Sequence, residues 1–82
     1  MTSAGEMINV KLFAGLELRA RERRTAYAFA PSDVPTIAAV THALGIAPGA
    51  AGLGLVNGRH ATAERELAAG DEVSLFPPLG GG

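Results

Sequence analysis

The chain has 82 residues, of which 48% are hydrophobic and 18% charged, and its formal net charge is −1. That is room for one small domain, and the balance excludes a disordered segment, which would be poor in apolar residues and strongly charged. A near-neutral chain also lacks the basic surface from which nucleic-acid binders draw their affinity. The absence of cysteine removes disulfides, thiolate metal sites, thiol nucleophiles and any persulfide carried on this chain. The two histidines, His42 and His60, have no paired spacing, so no metal site is predicted. No apolar run approaches the ~18 residues of a membrane span, and no charged-then-apolar leader precedes the first strand. A soluble, cytoplasmic domain with no membrane or nucleic-acid partner is expected.

Residues 1–6 are small and polar and are expected to form a flexible N-terminus. Met7–Phe13 alternates, with Ile8, Val10 and Leu12 on one face and Asn9, Lys11 and Phe13 on the other, which predicts a strand. Ala14–Arg24 mixes Leu16 and Leu18 with four arginines and two glutamates, and fits either a short helical turn or a long hairpin connection. Thr25–Ala30 alternates again, with Tyr27 and Phe29 sharing a face, and Pro31 ends it. Pro35 disfavours helical geometry at Val34, so a helix should begin around Pro35 or Thr36, and the Thr36 hydroxyl can cap it. Ile37, Val40 and Leu44 form one apolar stripe, and Gly45 followed by Ile46 reads as a glycine stop with a hydrophobic follower. Ala47–Gly52 is a loop. Leu53–Val56 leads into Asn57–Gly58, a two-residue hairpin signal because a type I′ turn needs positive φ at both positions. Arg59–Thr62 should return antiparallel, Ala63–Ala69 should form a single helical turn, and Glu72–Phe76 should be the last strand.

A long hairpin, one amphipathic helix and a closing strand describe an α+β fold, the β-grasp or ubiquitin-like roll. Its mixed sheet has four to five strands, and one main helix covers one face. In that fold the last strand lies parallel beside the first. The domain should span residues 7–76, with Ile8, Val10, Leu12, Phe29, Ile37, Val40, Leu44, Leu55, Val73 and Leu75 turned inward.

Residues 77–82 read Pro77-Pro78-Leu79-Gly80-Gly81-Gly82. Two prolines remove two backbone donors and fix φ, so the sheet should end and the chain leave as a stiff stalk. Glycines beyond it bring no Cβ into a narrow channel, and six extended residues reach roughly 20 Å. Frayed termini are also glycine-rich, so the tail alone does not decide the matter.

With Val56-Asn57-Gly58, Gly70-Asp71-Glu72-Val73 and Phe76-Pro77-Pro78-Leu79-Gly80-Gly81-Gly82, the chain from Met7 onward resembles the MoaD/ThiS sulfur-carrier family. The Pro-Pro pair is more similar to the small subunit of molybdopterin synthase than to the thiamine-pathway carrier. Gly80 stands where molybdopterin-type members often have Ser or Ala. The resemblance implies a carrier that is not catalytic alone and that ends in a reactive glycine. In such a carrier the carboxylate of Gly82 is adenylated by a ubiquitin-activating-type enzyme using ATP. Sulfur from a persulfide donor then leaves a thiocarboxylate, which serves the large molybdopterin synthase subunit or another acceptor. Pro77, Pro78, Leu79, Gly80 and Gly81 would thread the tail into the partner, and the chain itself would bind no cofactor.

Docking falls to the globule. Phe13 and Phe76 should lie on the sheet face away from the helix, with Val56 near them, and aromatics on a solvent-facing sheet make sense as an interface. A connection folded over Phe13 would hide it. The Arg19–Arg24 cluster, interleaved with Glu17 and Glu22, reads as a solvated face. His42 and His60 are expected to be exposed. Lys11 is the only lysine, which disfavours chains built on this protein itself. Three other roles compete with molybdopterin synthesis. They are sulfur delivery for thiazole, another metabolite or tRNA thiolation; conjugation to target lysines through Gly82; and a β-grasp interaction module with an inert tail.

Overall fold

The computed structural model describes residues 7–47 and 49–78. Five strands form one sheet: β1 (Ile8–Leu12), β2 (Ala26–Phe29), β3 (Leu53–Val56), β4 (Arg59–Ala61) and β5 (Glu72–Phe76), with helix α1 (Ile37–Leu44) between β2 and β3. The order across the sheet is β2-β1-β5-β3-β4. Among these neighbouring pairs only β1 and β5 run parallel, with Val10 beside Val73 and Leu12 beside Leu75. This is the expected β-grasp roll, in its five-stranded form.

One face of the sheet and the apolar stripe of α1 make the core. Ile8, Val10, Leu12, Val73 and Leu75 alternate into it from the two parallel strands, and Ile37, Val40 and Leu44 meet them from α1. Thr36 caps the helix, its hydroxyl accepting from Ala39 N at 3.2 Å. Gly45, at φ 79°, ends it. The N–H of Ile46 donates to Thr41 O and that of Gly45 to His42 O, the two bonds of a Schellman stop. Ile46 is buried behind it.

The connection after β1 is a short 3-10 turn, Leu16–Arg19, entered through positive φ at Ala14 and Gly15. It drops Leu16 and Ala20 into the core, and the Arg21 N–H donates to Leu44 O at the end of α1. The arginines of this connection stay exposed. Arg24 pairs with Glu22 in solvent and lies over the Tyr27 ring, while its N–H donates to the Tyr27 hydroxyl. Exposed pairs of this kind contribute about 0–1 kcal/mol.

Two expectations are overturned. Residues 63–69 are not helical, because their backbone partners the start of α1. Ala63 O and Arg65 O accept from the N–H groups of Ala38 and Ile37, Leu67 N–H donates to Pro35 O, and Thr36 bridges Glu66. The one local turn before them is closed by the Arg65 N–H donating to Thr62 O at 3.0 Å, and the backbone after it runs to α1 instead of continuing as a helix. The second correction is the phase of β3. Gly54 pairs with Leu75 and Val56 with Val73, both on the core face. Val56 is therefore buried, at 2% exposure, and is not a docking residue, while Leu55 faces outward, opposite Ser74. Alternation could not fix this phase, since Gly54 carries no side chain to mark its face. Cross-strand pairing decides it.

Candidate functional site

The face of the sheet opposite α1 carries the candidate site. In β1 the residues alternate with the core set, so Asn9, Lys11 and Phe13 line this face, joined by Glu72, Ser74 and Phe76 from the β5 side. Phe13 follows the last residue of β1 and Phe76 ends β5. Because those strands are parallel neighbours, both aromatics arrive at the same end of the sheet. Their rings stack with centroids 4.8 Å apart and planes 14° from parallel, a geometry that adds about 0.5–1.5 kcal/mol beyond area burial. Phe13 remains 39% exposed. The connection after β1 folds toward the core side, through Leu16 and Ala20, and does not hide it.

Leu53, given no face by the sequence, and Leu55, expected inward, extend this patch. Leu53 pairs with Phe76 and Leu55 with Ser74, so both lie on the outer face and are half-buried. The Asn-Gly motif did not set this face: once the pairing with β5 turns Val56 inward, Leu53 and Leu55 must lie outward. The result is a contiguous apolar surface from β1 across β5 to β3. Lys11, exposed, borders it one pair further down, beside Ser74.

Pro77 and Pro78 follow directly, outside any strand, with Pro77 half-buried and Pro78 exposed. The ladder closes just before them, where the Gly52 N–H donates to Phe76 O at 2.8 Å. The apolar patch and the departure point of the stalk thus share one end of the sheet. Leu79, Gly80, Gly81 and Gly82 lie outside the described residues.

At the opposite end the Asn57–Gly58 turn, at φ 53° and 82°, is tied to the turn before β5. The Asn57 side-chain amide donates to Asp71 Oδ1 at 3.0 Å and its carbonyl oxygen accepts from Glu72 N at 2.9 Å. Asp71 Oδ2 accepts from Ala68 N at 2.8 Å. The two motifs at Val56–Gly58 and Gly70–Val73 are therefore one structural clamp, with no part in the outer-face patch.

A cavity of about 500 Å³ lies on the other side of the sheet, bordered by Ile37 and Thr41 of α1, by Gly54 and Ala61, and by His42 and His60. Among the described residues no carboxylate borders it, and both histidines are exposed. Among the described residues, no group of three or more His, Cys, Asp or Glu is placed to hold a metal ion. No helix there is long and apolar enough to cross a membrane.

The fold is shared with proteins of known structure. The small archaeal modifier protein 1 of Haloferax volcanii superposes with a TM-score of 0.67 at 27% identity, over 92% of this chain and all (100%) of that one. Urm1 of Trypanosoma brucei superposes with a TM-score of 0.69 at 23% identity, over 99% and 100% of the two chains. No match was found among curated proteins. The model of the ThiS family matches residues 10–82, and this chain, a ubiquitin-like β-grasp carrying an apolar sheet face beside a Pro-Pro stalk, belongs to that family.

Proposed function

We propose that this chain is a cytoplasmic sulfur carrier, not catalytic alone, that docks by its outer sheet face and presents the carboxylate of Gly82 to an adenylating enzyme. The observation that carries the reading is the stacked Phe13–Phe76 pair at the end of the sheet from which Pro77–Pro78 departs, in a ThiS-family chain. A partner that covers the patch receives the tail at a fixed distance and direction.

A free carboxylate is a poor electrophile. Its attack on the α-phosphorus of ATP expels pyrophosphate and gives an acyl-adenylate with a good leaving group. The terminal sulfur of a persulfide then bonds to the acyl carbon and AMP leaves. A thiol reduces the resulting acyl disulfide, giving the thiocarboxylate and a disulfide on the donor side. This chain has no cysteine, so the persulfide and the thiol both belong to partners and the carried sulfur sits on Gly82. Tethering raises the effective concentration of that sulfur at the acceptor. The Pro-Pro pair favours molybdopterin synthesis as the pathway, with the large molybdopterin synthase subunit as acceptor. Thiazole formation and tRNA thiolation require the same activated terminus.

A second reading draws on the likeness to small archaeal modifier protein 1: the activated Gly82 is joined to lysines of target proteins. Intact mass after incubation with an adenylating enzyme, ATP and a sulfur source separates the outcomes. Replacement of one oxygen by sulfur supports the carrier, an adduct on target lysines supports the modifier, and an unchanged mass removes both.

A further inference from the structure

We infer that Gly52 is a positioning residue for the reactive tail, and that its missing side chain sets the direction in which Pro77 and Pro78 leave the sheet. The inference rests on the reading above that Gly82 is the group activated. A Cβ placed on Gly52 would lie 2.7 Å from Pro78 N and 3.0 Å from Pro78 Cβ, and closer still to Pro78 Cα. Ordinary van der Waals contact begins at 3.4 Å, and Gly52 is not among the glycines held at positive φ. The glycine is therefore required by close approach and not by its own backbone conformation.

The neighbouring bonds decide which side would yield to a methyl group. Gly52 is tethered by its N–H to Phe76 O at 2.8 Å, and the next residue, Leu53, is paired with Phe76 in the ladder. Pro78 has no N–H and belongs to no strand. A methyl at position 52 thus displaces the stalk, by about an ångström, and leaves the sheet in place. Proline fixes φ at positions 77 and 78, so the offset passes along the stalk instead of being absorbed within it. The four residues beyond can compensate only by giving up reach, which is at most ~14 Å when extended. A misplacement of that size at a reacting centre is enough to cost up to about a hundredfold in rate.

The test compares wild type with Gly52→Ala, using Gly54→Ala as control. Gly54 lies two residues on, inside β3, and its added Cβ would meet neighbours only at 3.4 Å or more. Three readouts are needed: a thermal melt, affinity for an adenylating enzyme of the same organism, and ATP–pyrophosphate exchange with that enzyme. Gly52→Ala is expected to melt and dock like wild type while its exchange kcat falls about ten- to a hundredfold, with loss of the Gly52–Pro78 proton NOE. Gly54→Ala is expected to keep wild-type exchange. Wild-type exchange by a Gly52→Ala protein that docks normally would overturn the inference alone. Absence of exchange by wild type itself would overturn the carrier reading together with it. Should Gly52→Ala not fold, Pro78→Gly releases the stalk from the other side of the contact, and unchanged exchange in that variant would overturn the inference.

Discussion

The clamp between the Asn57–Gly58 turn and Asp71 yields a graded series of stabilities. Asn57→Ala removes the side-chain bonds to Asp71 Oδ1 and from Glu72 N and puts a non-glycine residue without a polar side chain at φ 53°. All of these side-chain bonds are exposed, so each is assigned about 0.5–1 kcal/mol, and the left-handed backbone adds about 1 kcal/mol for alanine. The expected loss is about 2–3 kcal/mol, a sizeable part of the 5–15 kcal/mol typical of a domain. Asn57→Gly keeps the backbone geometry and loses only the side-chain bonds, about 1–2 kcal/mol. Asp71→Ala loses the bond from Asn57 and the one from Ala68 N, again about 1–2 kcal/mol. Asn57→Gly and Asp71→Ala remove one bond in common, so the double variant should fall short of the sum by about 0.5–1 kcal/mol. Urea denaturation with a common m-value measures all four. Equal losses for Asn57→Gly and Asn57→Ala would refute the backbone term, and strict additivity would refute the direct Asn57–Asp71 bond.

The other predictions concern β3, the patch and the tail. Val56→Ala should cost about 2 kcal/mol as a cavity-forming change, whereas Leu55→Ser should cost less; urea melts with the opposite ranking would reject the register of β3. Phe13→Ser and Phe76→Ser should weaken binding of the adenylating enzyme, measured by calorimetry, while destabilising the fold less than the about 2–4 kcal/mol expected for Leu75→Ala. Deletion of Gly82 should leave the melting temperature unchanged yet abolish ATP–pyrophosphate exchange, because the terminus would stop ~3.5 Å short of the reacting position. Gly81→Val should give the same result for steric reasons, and wild-type exchange by either variant would remove the main support for a reactive terminal glycine.

The parts of the fold legible in the sequence were those where local chemistry and tertiary demand coincide. Alternation in Met7–Phe13 and Glu72–Phe76, the Thr36 cap, the Gly45–Ile46 stop and the Asn57–Gly58 turn each carry their own signal and each appears in the structure. The misreadings arose where tertiary contacts decide. Residues 63–69 have the composition of a helical turn, but the unpaired N–H groups at the start of α1 recruit their carbonyls. In β3 the glycine at position 54 left the phase ambiguous, which exchanged Leu55 and Val56 between core and surface. Ala14–Arg24 was unreadable because its anchors, Leu16 and Ala20, are set in place by a left-handed entry at Ala14 and Gly15. Of the candidate site, the Phe13–Phe76 pair could be placed on one face from parity and fold topology, while Leu53 and Leu55 became visible only with the pairing.

The parallel pairing of β1 with β5 is what makes this arrangement usable. Had the last strand run antiparallel to the first, Phe76 and the stalk would sit at the end of the sheet opposite Phe13. A partner gripping the aromatic pair would then have no fixed relation to the tail. Parallel strands need a long crossover, and here the 3-10 turn, β2, α1, β3, β4 and the 62–71 segment supply it. That crossover also delivers Leu53 beside Phe76 and Gly52 beneath Pro78. The far end of β5 is held at the same time by Asn57, whose backbone N–H and side-chain oxygen bond Glu72 O and Glu72 N. One five-residue strand is thus fixed at its start by the clamp and joined at its end to the patch and the stalk. A substitution that loosens the clamp should reach the tail only through global unfolding, since the clamp meets β5 at the backbone of Glu72, at the end of the strand opposite Phe76 and the stalk. Activation by folded Asn57→Gly should therefore match wild type, while Gly52→Ala, equally folded, should not.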